Sequence, residues 1–154
     1  TFNGLVVAAQ VLKRERAVRR DGILDCDQHY GNGTSDIIGT PGLDWIEHYS
    51  AGAYWERTEQ ADIFLRRIPV ILQRFEGCDL LLYQAGADPH VDDPLGGWLT
   101  TAQLRERDRR VFTGCRAMGL PVAWNLAGGY QTPLRKVLDI HDHTMIECLA
   151  AFMP

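Results

Sequence analysis

The chain has 154 residues, 45% of them hydrophobic, and its 16 Lys and Arg against 20 Asp and Glu leave a formal charge of −4. A domain of that size buries about 68–70% of its unfolded surface, enough for one sizeable core. The charge balance excludes the basic footprint of direct nucleic-acid binding, and no apolar run approaches the roughly 18 residues of a membrane span. Four cysteines, Cys26, Cys78, Cys115 and Cys148, stand far apart with no Cys-x-x-Cys spacing. They read as reduced, mostly buried thiols in a reducing, cytoplasmic setting rather than as a disulfide framework. The sequence opens at Thr1 without a methionine, directly in the helical pattern Leu5, Ala8, Ala9 and Leu12, so the native N-terminus is expected to lie upstream.

In chain order, a first helix is expected from Asn3 to Arg19, ending in the basic, solvated run KRERAVRR, followed by the short apolar strand DGILDCD. A second helix carries Phe64, Leu65, Ile68, Leu72 and Phe75 at helical spacing, with Pro69 inside it at a cost of about 3 kcal/mol or a kink. The strand CDLLLYQA follows. A third helix begins at LTTAQL, where Thr100 and Gln103 have capping-box spacing, and stops near Gly119 before the strand LPVAWNLA. The last helix takes Thr132 as N-cap and Pro133 as its first residue, then runs through Leu138, Met145 and Leu149. Helices and strands in alternation predict an α/β domain with a parallel sheet flanked by helices.

In such sheets ligands bind beyond the carboxyl ends of the strands. The polar residues of this sequence gather there: Asp25, Asp27 and His29 after the first strand, Asp88 after LLLYQAGA, and Gly128, Gly129 and Tyr130 after VAWNL. If the extended backbone continues to residue 29, alternation points Asp25, Asp27 and His29 the same way. His29, Asp27 and Asp88 then suffice for a tetrahedral Zn²⁺ or another divalent metal with an open position, where the pKa of water falls to about 7. Asp25 is left to hold a second cation or to orient a neighbour.

A plainer reading of each feature stands beside this one. Asp-x-Asp after a strand also caps turns, and a histidine beside it is commonly a hydrogen-bonded loop residue. Gly31, Asn32 and Gly33 either make a turn or let the backbone pack closely beneath the site, and Gly128 and Gly129 have the same two readings. Tyr130 is either a core phenol or a hydrogen-bond donor to a substrate. His90, Asp92 and Asp93 read as turn residues of DDPLGG, and His141 and His143, two apart on a helix, as structural.

The segments DCDQHYGNGT, YQAGADPHVDDPLGG with LT following, and NLAGGY resemble, in order and placement, the successive motifs of the histone deacetylase superfamily, which includes acetylpolyamine amidohydrolases. TFNGLVVAA resembles the start of the helix before the first metal strand, and VLDIHDHTM the closing helix. The resemblance implies an arginase/deacetylase fold and metal-dependent removal of an acyl group from an acylated amine such as acetyl-lysine or an acetylpolyamine. Under it Asp27, His29 and Asp88 are the metal ligands, Tyr130 polarises the scissile carbonyl, and Asp25 binds a monovalent cation such as K⁺ and orients a histidine.

The chain departs from that pattern in two places. The tandem histidine pair that supplies the general base lies upstream of the corresponding start in family enzymes, and none of the five histidines here adjoins another. Asn32 would orient a member of that pair. The stretch between Thr34 and Cys78 also lacks the expected glycine-rich segment. Residues 1–154 therefore read as the C-terminal part of a single, incomplete deacetylase-like domain, expected to self-associate or meet a partner chain over its uncovered sheet. Two functional classes follow: the metal-bearing part of an amidohydrolase, weak or inactive alone, and a non-catalytic metal-binding or interaction module. A phosphatase built on Asp-x-Asp is set aside, because no suitably placed phosphate-binding lysine accompanies the motif.

Overall fold

The computed structural model describes residues 3–153; Thr1 and Phe2, which begin the stretch TFNGLVVAA, lie outside the described residues, as does Pro154. Four strands, β1 (Asp21–Asp25), β2 (Ile46–Ser50), β3 (Leu80–Gly86) and β4 (Val122–Ala127), form one all-parallel sheet in the order β2-β1-β3-β4. Helices α1 (Gly4–Arg14) and α2 (Asn32–Ile38) lie on one face, where Val6, Ala9, Ile23, Leu43, Ile46 and Leu82 form a small core. Helices α3 (Ala61–Gln73), α4 (Thr101–Met118) and α5 (Arg135–Phe152) cover the other over a larger core that includes Leu24, Phe64, Leu72, Tyr83 and Phe112. Phe112 is wholly buried and meets Tyr83, Trp124 and Phe152 edge-on. Truncating such a ring to Ala costs about 3–5 kcal/mol.

The expected parallel α/β sheet is present, and so is the capping box: Thr100 Oγ1 accepts from the Gln103 amide, and Gly119 ends α4 in the left-handed region at φ 65°. Pro69 sits inside α3 without ending it. The carbonyl it leaves unpaired, that of Leu65, accepts instead from Arg110 Nη1 on α4 at 3.0 Å, which offsets part of the cost. The four cysteines are free thiols, Cys26 and Cys115 buried and the other two half-buried.

Four expectations are corrected. The first helix stops at Arg14 rather than Arg19, because Arg16 takes φ 59° and Asp79 Oδ2 then accepts from the amides of Arg19 and Arg20 at 2.7 and 3.0 Å, turning the chain into β1 beside β3. Strand β1 ends at Asp25, so simple alternation does not carry Asp27 and His29. Between them and α3 lie α2 and β2, both unforeseen; Gly31, Asn32 and Gly33 open the helix rather than a turn at positive φ. Finally α5 starts at Arg135 with Leu134 as its cap, and Thr132 and Pro133 precede it. No helix among the described residues is long and apolar enough to cross a membrane.

Asp21 opens β1 wholly buried, with Oδ1 accepting from the Gly22 amide at 2.9 Å and Oδ2 without a partner. Burial is the main cause that lifts its pKa to about 6, against the Gly22 amide, with Asp79 adding to it. A carboxyl whose pKa is raised on folding contributes most below its unfolded pKa and progressively less as pH rises through the folded one. Asp21→Asn is therefore expected to stabilise the chain by about 1–2 kcal/mol at pH 7, with the gain gone near pH 4. Urea unfolding at the two pH values measures this; no gain at pH 7 contradicts it.

Candidate metal centre

The register of the sheet sets the floor of the site. Asp25 pairs across with Ser50 of β2 and Gln84 of β3, and Gln84 with Asn125 of β4, so one polar residue from each strand stands at the carboxyl end of the sheet. Asp25 Oδ1 accepts from Gln84 Nε2 at 3.1 Å and from the Asp27 amide at 3.0 Å, while Ser50 Oγ donates to Oδ2 over 3.4 Å. Burial is the leading cause that lifts the Asp25 pKa to about 6, with these donors opposing it. Ser50 Oγ also accepts from the Gly31 amide at 2.9 Å, tying the start of α2 to the sheet.

Beyond Asp25 the chain bends, and the bend delivers Asp27 and His29 to Asp88. The Cys26 amide donates to the Gln84 carbonyl at 3.1 Å, and the Gln28 amide donates to Asp88 Oδ1 at 3.2 Å. His29 Nδ1 then lies 3.4 Å from Asp88 Oδ2. One ligand-type atom from each of Asp27, His29 and Asp88 falls within 4.8 Å of the others, with Asp88 buried, Asp27 half-buried and His29 exposed. Asp27 Oδ1 and Asp88 Oδ2 are both buried without a hydrogen-bond partner. Burial first, and then the proton-sharing and charge of Asp27, drive the Asp88 pKa well above the carboxylate range. Two orphaned carboxylate oxygens beside an imidazole nitrogen are a donor set that fits a divalent cation.

Glycines wall this cluster. A Cβ on Gly86 would sit 2.7 Å from Asp88 Oδ1, and one on Gly128 would sit 2.2 Å from the Asp88 Cγ. Gly128 and Gly129 adopt φ 34° and 135°, which passes the chain after β4 tightly over Asp88 toward Tyr130. Tyr130 is 54% exposed, and its amide donates to the buried Asp93 Oδ2 at 2.8 Å, so the DDPLGG turn anchors the tyrosine loop. Gly31 is required for contact too, since a Cβ there would lie 2.6 Å from Asp25 Oδ2.

The remaining candidates lie elsewhere. Asn32 is exposed at the first position of α2. His90 Nε2 pairs with Thr101 Oγ1 at 2.9 Å and its Nδ1 accepts from the Asp92 amide at 3.0 Å, as expected of a turn residue; burial lowers its pKa. His141 is buried on α5 and His143 half-buried, outside the cluster. Ser50 and Gln84 escaped sequence reasoning; Gln84 has a detectable signal, its place opposite Asp25 once two adjacent parallel strands are aligned from their ends. A cleft of about 610 Å³ opens beside Asp25, lined also by Asn3, Gly4, Leu5, Gly31, Gly33, Thr34, Gln84 and Asn125.

The model of the histone deacetylase domain matches residues 47–145, a span that holds Asp88, Gly128, Gly129 and Tyr130 and begins after His29. An uncharacterized protein of Picosynechococcus sp. is 27% identical over 157 residues, covering 91% of this chain and 52% of its own length. Histone deacetylase 6 of Caenorhabditis elegans is 31% identical over 66% of this chain and 14% of its own, and a probable deacetylase of Methanothermobacter thermautotrophicus is 26% identical over 84% and 46%. The chain thus spans about half the length, or less, of these relatives. The solved HDA15 HD domain superposes with a TM-score of 0.70 at 18% identity, over 97% of this chain and 49% of that one, which establishes the arginase/deacetylase architecture of the sheet. With nearly two thirds of its length inside the matched domain, the chain belongs to the histone deacetylase domain family.

Proposed function

We propose that residues 1–154 are the metal-bearing, C-terminal part of a Zn²⁺-dependent amidohydrolase that removes an acyl group from an acylated amine, acetyl-lysine or an acetylpolyamine. The observation that carries this reading is the meeting of Asp27, His29 and Asp88, with Asp27 Oδ1 and Asp88 Oδ2 buried and unpartnered. A divalent ion held there supplies a Lewis acid for the acyl carbonyl and lowers the pKa of water. Asp27 and Asp88 hold the charge, and the Gln28 amide on Asp88 Oδ1 keeps that carboxylate turned so that Oδ2 faces His29. Tyr130, carried past Asp88 by the Gly128–Gly129 turn, is assigned the hydrogen bond to the oxyanion that develops on the carbonyl. Its phenol hydroxyl carries the proton that such a hydrogen bond donates.

The general base then comes from a histidine pair outside these residues. Asp25 supports this division: it lines the 610 Å³ cleft, and its Oδ1 is occupied twice whereas Oδ2 has one long bond, from Ser50. An imidazole entering that cleft meets a carboxylate able to orient it. Asn32 stands at the same end, on the first turn of α2. The edge strand β4, with Leu126 58% exposed, supports a covering by the rest of the domain, a second copy or a partner chain.

Zinc analysis of the full chain is expected to give about one ion per chain, lost when Asp27, His29 or Asp88 is replaced by Ala. Unchanged metal content in all three variants refutes the ligand assignment. In an acetyl-lysine assay the chain alone is expected to be slower, by about 10²–10⁴-fold, than a version extended upstream to a histidine pair, since that is the usual contribution of a positioned general base. In the extended version Tyr130→Phe is expected to lower kcat by about 10²-fold or more with little change in KM. Full activity of the chain alone contradicts the division of the site, and full activity of the Phe variant removes Tyr130 from the chemistry.

A further inference from the structure

Arg107 lies on α4 with no exposed surface, an unusual place for an arginine within the charge-rich run RERDRR. Its Nη1 donates to two backbone carbonyls, that of Cys26 at 3.1 Å and that of Gly86 at 2.8 Å. Cys26 directly precedes Asp27, and Gly86 lies two residues before Asp88. The two loops that deliver the cluster therefore leave the sheet from a single guanidinium nitrogen. Nε donates to Asp108 Oδ1 at 2.8 Å, and Asp108 also accepts from the Tyr83 hydroxyl and, at 2.6 Å, from Thr144 Oγ1 on α5. The guanidinium is thus fixed from β3, α4 and α5 together. It is held there even though Nη2 is buried with no hydrogen-bond partner among the described residues.

A parallel ladder keeps neighbouring strands in register only as far as backbone pairs with backbone. Past the bond from the Cys26 amide to the Gln84 carbonyl, the Cys26 carbonyl accepts from Arg107. We propose that Arg107 is a positioning residue of the metal centre, setting the separation of Asp27 and His29 from Asp88 through the carbonyls of Cys26 and Gly86. The inference rests on the reading of those three residues as metal ligands. It places a charge-assisted, forked donor where a smaller or apolar side chain leaves two buried carbonyls free to move apart.

The test is made on the full chain with Co²⁺ as probe, reading affinity by chelator competition, the visible ligand-field spectrum and the melting temperature. Arg107→Met is expected to weaken Co²⁺ binding about 10–100-fold and to alter the spectrum, the usual size of a loss behind the ligands. Arg107→Lys keeps a charge for Asp108 without the fork and is expected to fall between Met and the parent. Val111→Ala, wholly buried one turn further along α4, is expected to lower the melting temperature while leaving the affinity within about threefold of the parent. Parent-like affinity and spectrum in Arg107→Met overturn the proposal, as does an equal loss in Val111→Ala, which marks a merely structural role. Where the Met variant does not fold, parent-like affinity in Arg107→Lys overturns it and a weakened affinity supports it. A parent that binds no Co²⁺ overturns the metal reading itself and this inference with it.

Discussion

Two carboxylates at the ends of adjacent parallel strands are the constraint on which this molecule turns. Strands β1 and β3 are neighbours in the sheet, so the loops that leave their carboxyl ends start about 4.8 Å apart, and Asp27 and Asp88 are brought together before any ligand is considered. Unit charges within 4.8 Å of one another repel by about 3.5 kcal/mol or more at an effective dielectric of about 20. Asp88 answers with a pKa raised well above the carboxylate range, by burial first and then by the neighbouring Asp27. A cation removes that cost, and this is why the acid pair and His29 make chemical sense as one site.

The surroundings keep the pair from relaxing apart. Gly86 and Gly128 leave no room beside Asp88, the Gln28 amide holds one of its oxygens, and the Asp25 carboxylate holds the amide of Asp27. Asp25 is itself held by Gln84 and Ser50, its partners in register on the two flanking strands. The tyrosine loop is tied down separately, through the Tyr130 amide on Asp93. Backbone amides do most of this work, so the site depends on the path of the chain as much as on side-chain identity.

The strand ends were legible because parallel strands are short apolar runs and acids just beyond them are conspicuous. Asp27, His29 and Asp88 were picked out that way as candidates, and the structure brings them together for a different physical reason: a bend, not continued alternation, turns the first two toward the third. Helix α4 was legible to its caps, since both of its ends carry local chemistry. The end of α1 was not, because a basic run continues helical propensity while Asp79, far along the chain, catches the amides of Arg19 and Arg20 and diverts it. Strand β2 escaped because Glu47 and His48 interrupt its apolar positions at a sheet edge, and α2 because Asn-Gly reads as a turn. Arg107 escaped for a related reason: its partners are carbonyls 81 and 21 residues away, and no local pattern marks an arginine as buried.

The central claim is that Asp27, His29 and Asp88 form one cation site. Crystals of the full chain grown with Zn²⁺, measured on both sides of the zinc absorption edge, test it most directly. The account predicts an anomalous peak about 2.0–2.2 Å from a carboxylate oxygen of Asp27, a carboxylate oxygen of Asp88 and a ring nitrogen of His29. A peak at the cysteines or at other histidines, with none between these three residues, would contradict it.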